Sequence, residues 1–470
     1  MREYFLNMFN HVDNIVLDNE QIDAITSDYD NTIILAGAGA GKTTTITAKV
    51  KYLVDKCNIK CDEILLLSFT NKAVNELKER LNDYFDIDIK VKTFHSLGYE
   101  IIRNYNSSIK IINDSNKILL PIIEENKSLS SKKEFMRMNI EKNYKDWLTN
   151  IIKLIKTKNI SKEYLLNKCN NYSNLINYIY LLIDKYNEKM NSINLADYDD
   201  LILKANEVLK QEKIYLPYKY IIVDEFQDIS PIRFNLVNTI KNNTGSKLLV
   251  VGDDWQSIYS FSGTDPRLFK KLIDTSNTHV LKITKTYRNS QTLINIAGKF
   301  VMKSKIHIKK KLKSSKKLKN PIEIIYYNDF YEKTSIISLI NKIVKENNIT
   351  DYAILSRYNH DLKKFSKHKF PGNYEFMSVH QSKGLGFNNV IIIKMSNDKY
   401  GFPSNIKNDY LTSLIIDTDF YIEERRLFYV ALTRTKNKVY ILVPKFTPSS
   451  FINEIIKYKG VKIKKYWHKI

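Results

Sequence analysis

Short apolar runs that end in small or polar residues recur along the chain, separated by stretches whose apolar positions fall at helical spacing. TIILAG (32–37), EILLLSFT (63–70), YIIVDE (220–225), KLLVVGDD (247–254) and HVLKIT (279–284) have the unbroken hydrophobicity of strands covered on both faces. Alternation of such strands with helices predicts an α/β parallel sheet with its working residues at the strands' C-terminal ends. The pattern breaks between residues 106 and 195. There the sequence turns Lys/Asn-rich but keeps helical periodicity, as in KEFMRMNIEKNYKDWLTNIIKLIK (133–156), with no convincing strand, so a helical insertion is expected. Beyond Tyr287 a second strand series follows, IEIIYY, YAILSRYN, YEFMSVH, NVIIIK and KVYILV, and predicts a second sheet.

The expected organisation is therefore a split first domain (1–105 and 196–285), the insertion (106–195) and a second domain (286–470). A chain of 470 residues has a length prior of about three domains, and 43% hydrophobic residues can fill their cores. Lys and Arg number 74 against 51 Asp and Glu, a net charge of +23 that suits a polyanion such as nucleic acid; the abundance of Asn, Ile and Lys makes compositional bias the other explanation. The run KSKIHIKKKLKSSKKLKN (303–320) carries nine lysines and no acid. A solvated basic face is its first reading, a phosphate-backbone contact its second. The N-terminal MREYFLNMFNHVDN lacks the apolar core of a secretion signal, and no run of about 18 apolar residues suggests a membrane span, so a cytoplasmic protein without a membrane partner is expected. Cys57, Cys61 and Cys169 lack a second Cys/His pair at finger-like spacing and read as reduced, structural thiols.

The chemistry begins at TIILAGAGAGKTTTI (32–46). A strand, a small-residue loop, Gly41-Lys42-Thr43 and a helix start form a phosphate cradle, because successive backbone amides and a helix N-terminus converge on one small volume. The cradle spans Ala36, Gly37, Ala38, Gly39, Ala40, Gly41, Lys42, Thr43 and Thr44, with Ala36 in place of the usual first glycine. Kinases, GTPases, transporters and DNA motors all share such a loop. In IIVDEFQD an apolar strand delivers Asp224 and Glu225 to its end. Asp224 and Thr43 would hold Mg²⁺, Lys42 would neutralise phosphate charge, and Glu225 would polarise an attacking water. Together these point to an NTPase. After the next strand, Gln256 can sense a γ-phosphate, with Tyr259 and Phe261 at alternate positions of the same loop.

The ordered set EQIDAI, AGAGAGKT, LLLSFTNKA, TFHSLG, YDDLI, IVDEFQD, VVGDDWQSIYSFSG, TYRNS, VHQSKGL and EERRLFYVALTRT resembles superfamily 1 DNA helicases of the UvrD/Rep group from about Asp18 to Lys445. GDDWQSIY and YGFPS resemble the helicase IV branch most. The resemblance implies two RecA-like motor domains with ATP in their cleft and single-stranded DNA crossing both. By the same resemblance Gln21 would read adenine, Tyr287 would stack on it, and Arg288 and Arg434 would reach the γ-phosphate. Arg434 ends a helix whose Leu427, Val430 and Ala431 share an apolar face, whereas Arg425 and Arg426 read as surface ion pairs. Strand contacts would fall on Phe69, Asn71, His95, Tyr259, Phe261 and His380, each of which also has an ordinary packing explanation.

Several positions depart from the group's pattern. Thr44 stands where arginine is frequent, Gly386 replaces an acid, and Phe261-Ser262 replaces Trp-Arg. Only 22 residues separate Arg357 from His380, so the large second accessory domain of most members is absent. The expected activity is ATP-dependent translocation on single-stranded DNA and at single-strand/duplex junctions, with 3′-to-5′ unwinding. The alternative is a DNA-stimulated ATPase serving as a sensor or accessory subunit, with a nuclease as its partner; RNA unwinding ranks third.

Overall fold

Each apolar run becomes a strand in the computed structural model, which describes residues 2–12, 15–126, 132–138, 140–212, 214–304 and 306–465. The first sheet opens with β1 (Asn31–Ala36), β2 (Ile64–Ser68) and β3 (Lys90–Thr93). The chain then enters the insertion, bounded by the two-residue strands β4 (Lys110–Ile111) and β5 (Leu195–Ala196), and returns with β6 (Tyr220–Val223), β7 (Lys247–Gly252) and β8 (Thr278–Ile283). The order β3-β2-β6-β7-β1-β8 is parallel throughout. Alternate β1 side chains feed cores on opposite faces, Ile33 and Leu35 on one and Ile34 and Ala36 on the other, which is why the strand reads as continuously apolar. The second sheet comprises β9 (Ile322–Tyr327), β10 (Asp351–Ser356), β11 (Asn373–Ser378), β12 (Asn389–Ile392), β13 (Val439–Pro444) and β14 (Val461–Lys465). Its order is β11-β10-β12-β13-β9-β14, again parallel.

Four strands escaped the sequence pattern. β3 (KVKT) and β14 (VKIKK) are edge strands interrupted by lysines, a device that keeps an open edge from pairing. β4 and β5 pair with each other at the base of the insertion, so that segment is not purely helical. Its helices Asn116–Glu125, Tyr144–Lys158 and Ser173–Ser192 enclose a core of Leu148, Ile152, Ile155, Leu175, Ile179 and Leu182. Leu411, Ile415 and Ile416, from the helix Tyr410–Ile416 after β12, complete that same core. Trp147 Nε1 donates to Asp409 at 2.7 Å, and Lys158 Nζ donates to the Ile416 carbonyl at 2.6 Å. The insertion is thereby fastened to the second sheet unit.

Most of the lysine-rich run is solvated, as expected, with Lys303, Lys309, Lys311, Lys313, Lys316, Lys317 and Lys319 exposed, but one lysine turns inward. Lys310 is buried and its ammonium pairs with both Asp253 and Asp254, while Ile308 N donates to Asp254 and its carbonyl accepts from Trp255 Nε1. The segment straps the β7 loop to the stretch leading into β9, and its lysine is retained inside because two carboxylates demand a cation there. Arg425 and Arg426 are not surface residues either. Arg425 forms a two-pronged ion pair with Glu454 beneath the Phe300 ring, and Arg426 is 2% exposed. Among the described residues no helix is long and apolar enough to cross a membrane.

Candidate functional site

The phosphate loop follows β1 and turns into the helix Lys42–Cys57 through Gly41, whose φ of 79° lies in the left-handed region that favours glycine. A Cβ at Gly41 would also come 2.8 Å from Gln21 Nε2. Gln21 sits buried at the third position of the helix Asn19–Thr26, closes a capping box with Asp18, and points its amide toward the Ala40 carbonyl at 3.4 Å. Tyr287 N donates to the Gly39 carbonyl, and its hydroxyl donates to Asp18 at 2.9 Å with the ring 42% exposed. The Gln21 helix, loop and Tyr287 thus frame one edge of the site. Arg288 packs between Gly39 and Gly386, and a side chain at Gly386 would press on its guanidinium.

Lys42 is ion-paired within the protein, its Nζ donating to Glu225 Oε2 at 2.7 Å. Glu225 also accepts from Gln227 Nε2, whose Oε1 accepts from Asp253 N at 2.9 Å. Asp253 Oδ2 accepts from Gln256 Nε2 at 2.7 Å, and Gln256 Oε1 accepts from Arg434 Nη2 at 2.9 Å. An unbroken chain of polar contacts therefore runs from the phosphate loop through the ends of β6 and β7 to the second sheet unit. A second crossing lies beside it: Lys383 Nζ binds both Asp228 oxygens at 2.7 Å and the Gln256 carbonyl at 2.6 Å.

The charges in this chain are set by burial and neighbours. Burial and the adjoining Glu225 charge push Asp224 up to about 7. Burial alone would raise Glu225 too, but Lys42 and Lys383 outweigh it and hold that carboxyl at about 2. Asp224 accepts from Glu225 N and feels the Lys42 charge, but forms no ion pair of its own among the described residues. With the Thr43 hydroxyl, it could hold a hard divalent ion, which takes oxygen ligands. Arg434 is wholly enclosed; burial, then Arg288, lowers its guanidinium to about 9.

The expected strand-facing residues divide into groups. Tyr259, Phe261 and His380 meet: Phe261 lies edge-on to Tyr259 at 6.0 Å and to His380 at 5.6 Å, and the Tyr259 hydroxyl donates to the His380 carbonyl. Phe261 is 57% exposed, which removes the core-packing explanation for it, and with His380 it lines a cavity of about 350 Å³ whose remaining walls all come from the second sheet unit. His95 lines a second cavity of about 400 Å³ on the insertion side, shared with Ser262. Phe69, at the end of β2, packs on Phe94 at the start of the His95 helix. Asn71 joins neither group and faces a separate groove with Asn75 and Lys78.

Sequence reasoning missed Gln227, Asp253, Lys310 and Lys383. Lys383 was within reach, since it lies three residues after His380 in VHQSKGL; Gln227 and Lys310 act through partners that no spacing rule connects.

The UvrD/REP helicase N-terminal domain family matches residues 17–277, and the UvrD-like helicase C-terminal domain family matches residues 366–445. The chain is 28% identical to DNA helicase IV of Escherichia coli K12 over 98% of its own length and 72% of that protein's. It is 31% identical to the ATP-dependent DNA helicase Rep of Buchnera aphidicola subsp. Schizaphis graminum and 28% identical to Rep of Escherichia coli K12. Those two alignments each cover 75% of the chain, which spans only 56% and 55% of the respective Rep proteins.

Proposed function

The chain belongs to the UvrD/Rep helicase family, and from that premise we propose that it is an ATP-driven motor that moves 3′ to 5′ along single-stranded DNA and displaces the complementary strand. The observation that supports this most is the polar chain from Lys42 to Arg434, because it ties the phosphate end of the site to the second sheet unit. Arriving phosphates compete with Glu225 for Lys42. That exchange frees the Glu225 carboxylate to orient and deprotonate water, while Arg434 and Arg288 meet the developing charge from across the cleft. Thr43 and Asp224 would hold Mg²⁺, which when bound neutralises phosphate oxygens. Cleft closure then moves the Phe261 loop against the strand, since Gln256 and Phe261 share one short segment.

One observation favours a second reading, a DNA-stimulated ATPase that senses DNA or serves a nuclease without unwinding. The connection from β10 to β11 is short, running from Arg357 to Gly372, where related motors carry an accessory domain. Strand displacement on duplexes with 3′ or 5′ overhangs, DNA and RNA in parallel, decides between them: displacement from 3′ DNA overhangs supports the motor, and DNA-stimulated ATPase without displacement supports the sensor. In that assay Phe261→Ala should weaken strand binding by roughly 1–3 kcal/mol and lower base pairs opened per ATP. Its melting temperature should stay within about 2 °C of wild type, because the ring is exposed. Unchanged base pairs per ATP would remove Phe261 from the stepping contact.

The histidines give a pH prediction. Burial, then Arg233 and Lys153, depress His95 to about 4; burial, then Arg357 and Lys383, depress His380 to about 3. Both are neutral at physiological pH, so DNA affinity at constant salt should change by less than about twofold between pH 6 and 8. The unfolded value is about 6.5, so below it the unfolded chain binds more protons; stability is lost as pH falls from there toward 4. Binding that tightens about tenfold at the acid end of pH 6–8 would show imidazolium contacts instead.

A further inference from the structure

Arg233 is half-buried, and its guanidinium lies over an aromatic ring rather than against a carboxylate. Its Nε is sealed from solvent with no hydrogen-bond partner, and its guanidinium forms no ion pair among the described residues. Of the two carboxylates whose charge reaches it, Asp228 is held by Lys383, while Asp199, on the wall of the His95 cavity that Arg233 also lines, accepts from the Thr157 hydroxyl at 2.7 Å and makes no direct contact with the guanidinium. Asp197, on the same cavity wall, is paired with Lys156. A half-buried guanidinium with a sealed, unbonded Nε and no ion pair is costly, which suggests that a partner for it comes from outside the protein. The position of Arg233 indicates what that partner is. It lines the 400 Å³ cavity together with His95, Lys153 and Ser262, and its guanidinium lies 5.7 Å from the Phe69 ring centre. Ser262 follows Phe261, so this cavity and the Phe261–His380 cavity adjoin the same loop. The side chain also rides on the first turn of the helix Pro231–Thr244, whose amide end adds positive potential.

We propose that Arg233 binds a backbone phosphodiester of the single strand, one step to the insertion side of the base contacts at Phe261. This rests on the strand-binding reading of the Phe261 loop. A planar fork suits a phosphodiester's paired oxygens, and the Phe69 ring beside it would let a base stack as the phosphate is held.

The test measures the affinity of a fluorescent oligothymidylate against salt for wild type, Arg233→Met, Arg233→Lys and Phe261→Ala, with a melting curve for each. Arg233→Met should bind about tenfold or more weakly, with a salt slope shallower by about 0.7, one phosphate's share. Its melting temperature should match or exceed wild type, because an unpaired charge has been removed. Arg233→Lys should keep the slope and lose part of the affinity. If Arg233→Met fails to fold, that lysine variant carries the test: wild-type affinity in it would overturn the proposal. A lowered melting temperature with unchanged affinity and slope would also overturn it, making Arg233 structural. If Phe261→Ala weakens binding while Arg233→Met does not, the phosphate contact fails and the strand-binding reading stands. If wild type itself shows no salt-dependent binding, that reading fails. Inorganic phosphate at constant ionic strength should not displace the oligonucleotide; displacement from wild type but not Arg233→Met would reassign the cavity to a free oxyanion and overturn the proposal.

Discussion

Glu225→Gln is expected to bind ATP and Mg²⁺ but to hydrolyse about 10²–10⁴-fold more slowly than wild type, because the amide keeps the side chain's shape and cannot take a proton. The position is conformationally demanding as well as chemical. Glu225 has a φ of 50°, a left-handed conformation that costs a non-glycine residue about 1–3 kcal/mol and persists only where surroundings over-determine it. Here Lys42 and Gln227 both grip the carboxylate. Glutamine preserves the backbone geometry, so the variant isolates the chemistry. Lys42→Ala acts differently: it removes the phosphate grip and leaves Glu225 without its ion-pair partner, so nucleotide binding and turnover should fall together. Equilibrium binding of ATP and single-turnover hydrolysis on each variant separate the two effects. Hydrolysis by Glu225→Gln at the wild-type rate would withdraw the water-polarising role.

Arg434→Lys should lower DNA-stimulated turnover by about 10³-fold or more, with a much smaller loss of DNA affinity. The guanidinium is fully enclosed, bridging the Val430 and Leu385 carbonyls and Gln256 at once. A lysine can reproduce neither the fork nor, in this setting, the charge. Burial and the neighbouring Arg288 already pull the arginine down to about 9, and an ammonium with a lower intrinsic value would be driven further toward neutrality. The sign is therefore defined: the deficit of Arg434→Lys should narrow as pH falls and widen as it rises, since the protonated form is the active one. ATPase rates across pH with saturating DNA check this. Turnover equal to wild type would leave Arg434 a packing residue.

What was legible in the sequence traces back to burial. Strands such as β1, β6 and β7 are covered on both faces, so their sequences are unbroken apolar runs, and the loops at their ends declare themselves by Gly-Lys-Thr and Asp-Glu. The edge strands β3 and β14 were hidden because lysines interrupt them. Lys310 was hidden by its company: in a run of nine lysines nothing local distinguishes the one that Asp253 and Asp254 pull inside. Arg425 and Arg426 misled for the related reason that Glu454, the partner that buries the first, is distant in sequence. The helix before Arg434 is buried on all sides from Glu424 to Thr433, so the single apolar face read from Leu427, Val430 and Ala431 is not what sets the direction of Arg434. The link through Gln227 joins residues 225, 227 and 253, whose meeting depends on β6 lying beside β7, a fact of sheet order that periodicity does not contain.

The helix Tyr410–Ile416 that completes the insertion's core also constrains how the protein is made. A ribosome delivers the insertion roughly 220 residues before Leu411, Ile415 and Ile416 leave the exit tunnel, yet those side chains cover the apolar surface around Leu148 and Leu175. Until then the newborn helices present an uncovered hydrophobic patch, and the Trp147–Asp409 bond, spanning 262 positions, cannot form. Vectorial synthesis should therefore pass through a long-lived, sticky intermediate in which β1–β8 are paired and the insertion is incomplete. A fragment ending at about residue 285, which completes β8 but lacks that helix, should aggregate or recruit holdase chaperones, and supplying a 405–420 peptide in trans should reduce that tendency.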